Sequence, residues 1–230
     1  MEGSSYLHQF LFGLYPYVCL AVFAIGSVIR FDREQYTWKS DSSQLLRRGQ
    51  LRWGSNLFHI GILGILGGHF VGLLTPVGVW HAIGLSAPAK QMLAMVAGGI
   101  AGVLCLAGLV LLAHRRVGEP RVRLTSRKSD MLVLALLVAQ VVLGLCSITV
   151  SAQHRDGAEM LKLMEYVQSI VTFRGGAAAL VADVDTVYKA HLVLGFTLFL
   201  VFPFTRLVHI FSGFATLYYV VRPYQIVRSR

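Results

Sequence analysis

Five long runs of apolar residues, separated by polar connections, form the dominant pattern of this chain. The runs cover about residues 10–29, 53–74, 91–113, 131–150 and 187–210. An α-helix needs about 20 apolar residues to cross a hydrocarbon core about 30 Å thick, and each run reaches that length. The pattern therefore predicts an all-α membrane protein, a single integral membrane domain over residues 1–230 built as a five-transmembrane-helix bundle. The first run is too long for a signal peptide and has no basic region before it, so we expect it to stay as the first helix.

Composition and charge agree with a membrane location. Charged residues make up 14% of the chain, against about 25% in a typical soluble domain, and the mean hydropathy is +0.63. The net charge of +10 is unevenly distributed, since sixteen of the 21 Lys and Arg lie in or beside residues 30–52, 114–129 and 206–230. Such an excess on one side is typical of cytoplasmic loops. We expect a multi-pass protein of the cell membrane with an outer N-terminus, a cytoplasmic tail over about 214–230, and no nucleic-acid partner.

Four of the eight histidines lie inside the apolar runs, two in the second run and two in the fifth. An imidazole in hydrocarbon is costly and needs a partner. The second and fifth helices run in opposite directions, so we expect His69 and His191 near the outer side and His59 and His209 near the cytoplasm. Eighteen residues at about 100° each also bring His191 and His209 to the same face of one continuous helix. Depth and rotation therefore pair His69 with His191, and His59 with His209.

Two facing imidazoles suit the axial positions of a low-spin heme iron, a centre fitted for electron transfer. The chain contains no Cys-x-x-Cys-His motif, which disfavours covalently attached heme. A site with two metal ions would require carboxylates, which these helices lack. For any single histidine, a hydrogen bond to another helix is an equally good interpretation. Four histidines at matched depths favour two hemes of b type, with His69 and His191 as ligands of one iron and His59 and His209 of the other.

Basic residues near the helix ends are candidates for contacts with the heme propionates. Arg206, Arg115 and Arg116 lie at the cytoplasmic level, where the alternative is that they extend to the lipid headgroups. Lys90 opens the third helix on the outer side, where few charges occur. It is therefore a candidate for binding a propionate or a quinone oxygen near the outer heme.

Glycines near the histidines suggest space for a flat macrocycle. Gly195 and Gly213 each follow a histidine of the fifth helix by four residues and could clear this space. The glycines of the second helix lie on a different face of that helix from His59. We assign them to helix packing or to space beside the outer heme. They are Gly61, Gly64, Gly68 and Gly72.

Two polar connections have further predicted roles. In segment 151–186 apolar residues recur at helical spacing with charged residues between them, which predicts a helix lying on the membrane surface and ended by Gly175-Gly176. Loop 30–52 is long and mixed in charge. It is either a docking surface for a cytoplasmic partner or a solvated loop.

Short motifs along nearly the whole chain match one known family. They are Tyr15-Pro16-Tyr17, Gln35-Tyr36-Thr37-Trp38, residues 55–69, Leu74-Thr75-Pro76, Lys90-Gln91, Ser151-Ala152-Gln153-His154, residues 191–195 and Tyr224-Gln225-Ile226-Val227-Arg228. With these motifs and both histidine spacings, the chain resembles the gamma subunit (cytochrome b) of membrane-bound respiratory nitrate reductase. Residues 213–221 depart from the family pattern.

The resemblance implies a site and partners as well as a fold. It implies five transmembrane helices with an outer N-terminus, His69 and His191 on a distal heme, and His59 and His209 on a proximal heme. It implies oxidation of menaquinol or ubiquinol near the distal heme, with Lys90 and His69 in the pocket. Gly68 and Gly72 lie nearby. The partners it implies are a cytoplasmic iron–sulfur beta subunit and a molybdenum-containing alpha subunit that reduces nitrate.

Other functions are compatible with parts of the pattern. The same two hemes could serve a heterodisulfide or sulfite type of reductase, or a nitrite oxidoreductase running in the reverse direction. A protein without heme, a transporter or a membrane anchor, is the alternative from another class. Transporters often contain internal repeats and broken helices, whereas this sequence shows no repeat and no proline within the second run.

Overall fold

The computed structural model describes residues 5–34, 46 and 48–212. Five helices in this part of the chain are long and apolar enough to cross a membrane, which confirms the predicted five-helix membrane architecture. The principal helices are α1 (Tyr6–Arg33, with a π-helical segment at Phe10–Leu14), α2 (Arg48–Leu74), α3 (Ala87–Gly118), α4 (Lys128–Ser151), α5 (Ala158–Val171) and α6 (Thr186–Val201). The predicted tail at 214–230, Gly213 and most of loop 30–52 lie outside the described residues.

Short helices connect or extend these elements. They are Val77–Ala82, Pro120–Leu124 and Ala177–Leu180, followed after α6 by the 3₁₀ segments Phe202–Phe204 and Arg206–Phe211. The membrane-length helices alternate in direction. We call one end of the bundle the His69 end and the opposite end the His59 end.

The helices pack in the spatial order α1, α6, α4, α3, α2, while α5 packs against α2 and α3. The closest approach is between α2 and α3, where Gly61 and Gly108 lie against the backbone of the other helix. A Cβ at Gly61 would come within 2.6 Å of the Ala101 oxygen. Small residues allow this proximity, and close packing is what holds helices together in lipid. The predicted packing role of Gly61 is therefore confirmed.

The fifth membrane helix ends earlier than the sequence pattern suggested. The apolar run extends to about residue 210, but α6 ends at Val201, because Pro203 cannot continue the helical hydrogen bonding. Thr205 is extended (φ −125°, ψ 179°), and its hydroxyl accepts a hydrogen bond from Leu207 N at 3.3 Å. His209 therefore lies on a separate 3₁₀ segment. The expectation that His191 and His209 share one face of a continuous helix was wrong.

Helix α5 lies across the His69 end of the bundle. Its buried residues Met164, Tyr166 and Ile170 face the other helices, and the Tyr166 hydroxyl donates to the Phe12 oxygen at 3.1 Å. Burial raises the pKa of Tyr166, so the phenol stays protonated and remains a donor. This confirms the helix that the spacing in 151–186 predicted.

The two ends of α5 are formed differently. Gly157, directly before α5, has φ +83°. Residues with a side chain rarely adopt this left-handed conformation. At the other end α5 stops at Val171, and Phe173 has φ +56°, whereas Gly176 (φ +80°) directly precedes the short helix Ala177–Leu180. The prediction that Gly175-Gly176 ends this helix was therefore wrong.

Candidate functional site

The structure brings both predicted histidine pairs together. The ring centres of His69 and His191 are 6.1 Å apart, and those of His59 and His209 are 6.2 Å apart. With a metal–nitrogen bond of about 2.0 Å and about 1.1 Å from ring centre to nitrogen, two imidazoles on opposite sides of one metal have centres about 6.2 Å apart. Both pairs therefore have the spacing of two axial heme ligands.

Three of the four imidazoles are oriented by a backbone carbonyl one turn earlier in the chain. In each, Nδ1 lies within hydrogen-bond distance of that oxygen: His59 with Ser55 at 2.7 Å, His69 with Ile65 at 2.9 Å, and His209 with Arg206 at 2.6 Å. A carbonyl can only accept, so Nδ1 carries the proton and Nε2 retains its lone pair. This is the tautomer of an imidazole that binds metal through Nε2.

His191 has a different environment, which involves Gln140 of α4. The Gln140 amide nitrogen lies 3.3 Å from His191 Nε2 and donates to the His191 backbone oxygen at 3.1 Å. The Nδ1 atom of His191 is buried and has no hydrogen-bond partner among the described residues. An unpaired buried polar atom costs about 1–3 kcal/mol, and only a bond formed at Nδ1 itself would offset that cost.

Glycines near His191 lie close to side chains. A Cβ at Gly195 would come within 3.2 Å of the Gln140 amide nitrogen, and one at Gly144 within 3.1 Å of His191 Cε1. Gly195 therefore accommodates the Gln140 amide, and its role in clearing space for a macrocycle stays a prediction. Gln140 was absent from the predicted site residues, although its position as a polar residue inside the fourth apolar run was a usable signal.

Lys90 is buried at the His69 end, with only 6% of its surface exposed. Its ammonium donates to the Gly72 oxygen at 2.8 Å and contacts the Met164 sulfur at 2.8 Å. The Met160 sulfur is 3.7 Å away, and the centre of the Trp80 ring 5.1 Å. All these partners are uncharged. The sequence did not indicate the methionines as neighbours of Lys90, because α5 reaches them only through tertiary packing.

Gly68 directly precedes His69 in the sequence, and Gly72 follows it by three residues. Both glycines border open space. A Cβ built at either glycine would meet no atom within 4 Å in the described part of the chain, apart from its own helix. Gly64, by contrast, packs on α3, where its Cβ would lie 3.2 Å from that of Ala101. The four glycines thus divide as expected between helix packing and space near His69.

The basic residues at the His59 end contact a buried carboxylate that the sequence analysis had not selected. Arg206 binds Asp130 through two hydrogen bonds of 2.7 and 2.6 Å, and Arg116 contacts the same carboxylate at 3.1 Å. Arg115 donates to the Leu46 oxygen at 2.7 Å. Contacts of these three arginines with heme propionates remain a prediction. The signal for Asp130 was a single acidic residue at the start of an apolar run, next to a basic loop.

A bundle of five membrane-length helices with two facing imidazole pairs defines a membrane protein of the cytochrome b type. The sequence model of the nitrate reductase gamma subunit matches residues 8–230, and the chain belongs to that family. It is therefore a membrane subunit of the nitrate reductase type and a multi-pass protein of the cell membrane, where it functions with other subunits.

Relatives in two organisms match almost end to end. The chain is 53% identical to the respiratory nitrate reductase 1 gamma chain of Escherichia coli K12 over 226 residues, covering 98% of this chain and 99% of the relative. It is also 53% identical to the nitrate reductase 2 gamma chain of that organism over 227 residues, with the same coverage. The nitrate reductase gamma chain of Bacillus subtilis is 37% identical over 222 residues, covering 96% and 98%.

Proposed function

We propose that this chain oxidises quinol at its His69 end and delivers the electrons at its His59 end to the other subunits of a respiratory nitrate reductase. The observation that carries the proposal is the spacing of the two imidazole pairs, 6.1 and 6.2 Å between ring centres. The backbone carbonyls that hold the proton on Nδ1 in three of these rings support it further.

The four histidines would hold two hemes of b type. His69 and His191 would bind the distal iron, and His59 and His209 the proximal iron. When bound, these groups supply one-electron carriers at two depths in the membrane. The chain would supply the four iron ligands, and backbone carbonyls fix the tautomer of three of them.

Quinol would bind beside His69 and Lys90. The Lys90 ammonium would donate a hydrogen bond to a quinol oxygen, exchanging one of its present contacts with Gly72 or Met164 for the substrate. Gly68 and Gly72 leave space for the ring beside His69. The substrate is menaquinol or ubiquinol, and its two protons leave on the side of the membrane at which this site lies.

The orientation in the membrane follows from the charges. The loops at the His59 end contain most of the Lys and Arg, so this end is cytoplasmic and the His69 end is outside. Each electron then crosses against the membrane potential, which costs roughly 2.3 kcal/mol per 100 mV. The difference in redox potential between quinol and nitrate must supply this energy.

The electron acceptor would be a cytoplasmic iron–sulfur subunit. It would dock on loop 30–52, on the basic loop 114–129 and on the C-terminal tail. A molybdenum-containing subunit beyond it would reduce nitrate. The present chain is thus the quinol-oxidising subunit, and nitrate itself reacts elsewhere in the complex.

Replacing His191 tests the pairing of ligands. In membranes containing the assembled complex, redox difference spectra of the unmodified protein should show two b-heme signals. His191→Ala should abolish the distal signal, because one axial ligand is lost, and retain the proximal one. His81→Ala is the control, since this exposed histidine lies outside the membrane-length helices. Both heme signals at full amplitude in His191→Ala would refute the assignment.

A further inference from the structure

The segment that carries His209 is held by polar contacts in addition to the packing of its fully buried residue Val208. Because α6 ends at Val201, the continuous hydrogen bonding of a helix does not connect His209 to the rest of the bundle. Instead, Arg30 of α1 donates to the Pro203 oxygen at 2.7 Å and to the Thr205 oxygen at 2.8 Å. These contacts hold the beginning of the segment.

The second attachment involves Asp130 at the start of α4. Its two carboxylate oxygens accept hydrogen bonds from Nε and Nη2 of Arg206, at 2.7 and 2.6 Å. This bidentate geometry restricts both the position and the orientation of the guanidinium group. Asp130 therefore fixes Arg206 relative to α4.

The Arg206 backbone passes this restraint on to His209. The Arg206 oxygen accepts the hydrogen bond from His209 Nδ1 at 2.6 Å, and it is the contact that orients the imidazole toward His59. The side chain of Arg206 is thus held by α4, while its carbonyl holds the ring. A continuous series of contacts links a buried carboxylate to the candidate ligand.

The environment of Asp130 suits a structural carboxylate. Only 5% of its surface is exposed, and besides Arg206 it accepts from Arg116 at 3.1 Å and from the Arg127 backbone nitrogen at 3.0 Å. Removing this buried carboxylate leaves two partly buried guanidinium groups without their acceptor, which destabilises the local arrangement. The effect should be concentrated on the segment that Arg206 anchors.

We propose that Asp130 is a positioning residue for His209, acting through the side chain and backbone carbonyl of Arg206. The proposal rests on the proposed function, in which His209 is an iron ligand. Partners of this kind orient metal-bound imidazoles and raise their basicity, and their loss typically costs about 10–100-fold in affinity or activity. A less basic imidazole favours the reduced iron, so the midpoint potential of the proximal heme should rise when Asp130 is replaced.

The test measures the two hemes separately in the assembled complex. Asp130→Asn removes the charge, Asp130→Glu keeps it, and Arg206→Lys keeps the positive charge but loses the bidentate contact. Each is examined by potentiometric titration and by electron paramagnetic resonance, which reports the mutual orientation of axial imidazoles. Asp156→Asn is the matched control. Like Asp130, Asp156 accepts a hydrogen bond from a backbone nitrogen near the start of a helix, that of Ala158 at 3.2 Å, but it lies at the His69 end of the bundle.

We expect Asp130→Asn and Arg206→Lys to alter the resonance of the proximal heme and to raise its potential by about 59 mV, a tenfold change for one electron. The distal signal should stay unchanged, and Asp130→Glu should lie closer to the unmodified protein. In an Arg206→Gln background, Asp130→Asn should add no further shift, because both changes interrupt one series of contacts. Asp156→Asn should leave both hemes unaltered.

The outcomes separate this inference from the proposed function. Two normal hemes in Asp130→Asn and Arg206→Lys would overturn the positioning role while leaving heme binding intact. Equal changes at both hemes would also overturn it, since they would reflect general loss of structure. If Asp130→Asn fails to assemble, the resonance of the proximal heme in Arg206→Lys decides, because it reports the orientation of the imidazoles, whereas the potential would also respond to a lost propionate contact. An unmodified complex without b heme would refute the proposed function itself.

Discussion

The contact between α2 and α3 permits a sharp prediction about stability. Gly61 of α2 lies directly against the backbone of α3, and a Cβ at this position would be 2.6 Å from the Ala101 oxygen and 2.7 Å from Cys105 Cα. Ordinary contacts of a Cβ begin at 3.4 Å. The Cys105 backbone nitrogen lies closer still, and backbone atoms cannot rotate out of the way, so Gly61→Ala must move the two helices apart by roughly 1 Å.

The energetic cost can be estimated from this displacement. Inserting one methyl group into a tightly packed contact typically costs about 1–3 kcal/mol. Separating the helices by this distance loses dispersion contacts along the interface, which accounts for a cost of this size. We expect Gly61→Ala to destabilise the protein by about 2 kcal/mol. His59 is two residues away on α2, so binding of the proximal heme should weaken as well.

Gly67→Ala is the matched control for this experiment. It lies on the same helix, but its Cβ would meet no atom within 4 Å in the described part of the chain, apart from its own helix. Thermal unfolding of the detergent-solubilised complex, followed by loss of the heme absorbance, measures both variants under identical conditions. Equal unfolding temperatures for Gly61→Ala and Gly67→Ala would refute the reasoning from packing.

Two further predictions concern the His69 end. Lys90→Ala should lower kcat/KM for quinol by about 10–100-fold, the equivalent of one charge-assisted hydrogen bond, without changing nitrate reduction from an artificial donor that bypasses this subunit. Lys189→Ala is the control, because Lys189 also donates to a backbone oxygen at this end, that of Ala182 at 2.6 Å. Equal kinetics of the Lys90→Ala and Lys189→Ala variants would contradict a role of Lys90 in quinol oxidation. Gln140→Leu removes the amide beside His191 and should shift the potential of the distal heme alone. Titration of both hemes checks this, and an unchanged distal potential would exclude Gln140 from the site.

Much of the fold follows from the order of apolar and polar residues. The thickness of the membrane sets the length of a spanning helix, so five runs of about 20 residues determined five helices before any contact was known. The alternating direction of successive helices then determined which histidines lie at the same depth. His69 and His191 meet, as do His59 and His209, because depth depends only on position along each helix.

Other features depended on contacts that no local pattern contains. The end of α6 at Val201 could have been suspected from Pro203, but an apolar run continuing to residue 210 concealed it. Burial of Lys90 beside Met164 required α5 to fold back over the His69 end. The end of α6 thus had a local signal that the apolar run obscured, whereas the surroundings of Lys90 are set by an element distant in sequence.

The apolar pattern along the chain thus set the number of helices, their alternating directions and the depths of the four histidines. A carbonyl one turn earlier in the chain holds three of the imidazoles. The contact of Gln140 with His191 and that of Asp130 with Arg206, which lies behind His209, arise only when the helices pack together. The physical reason is that hydropathy reports the depth of a residue in the membrane. The rotation of each helix about its axis, and the distance to its neighbours, are decided by packing between side chains.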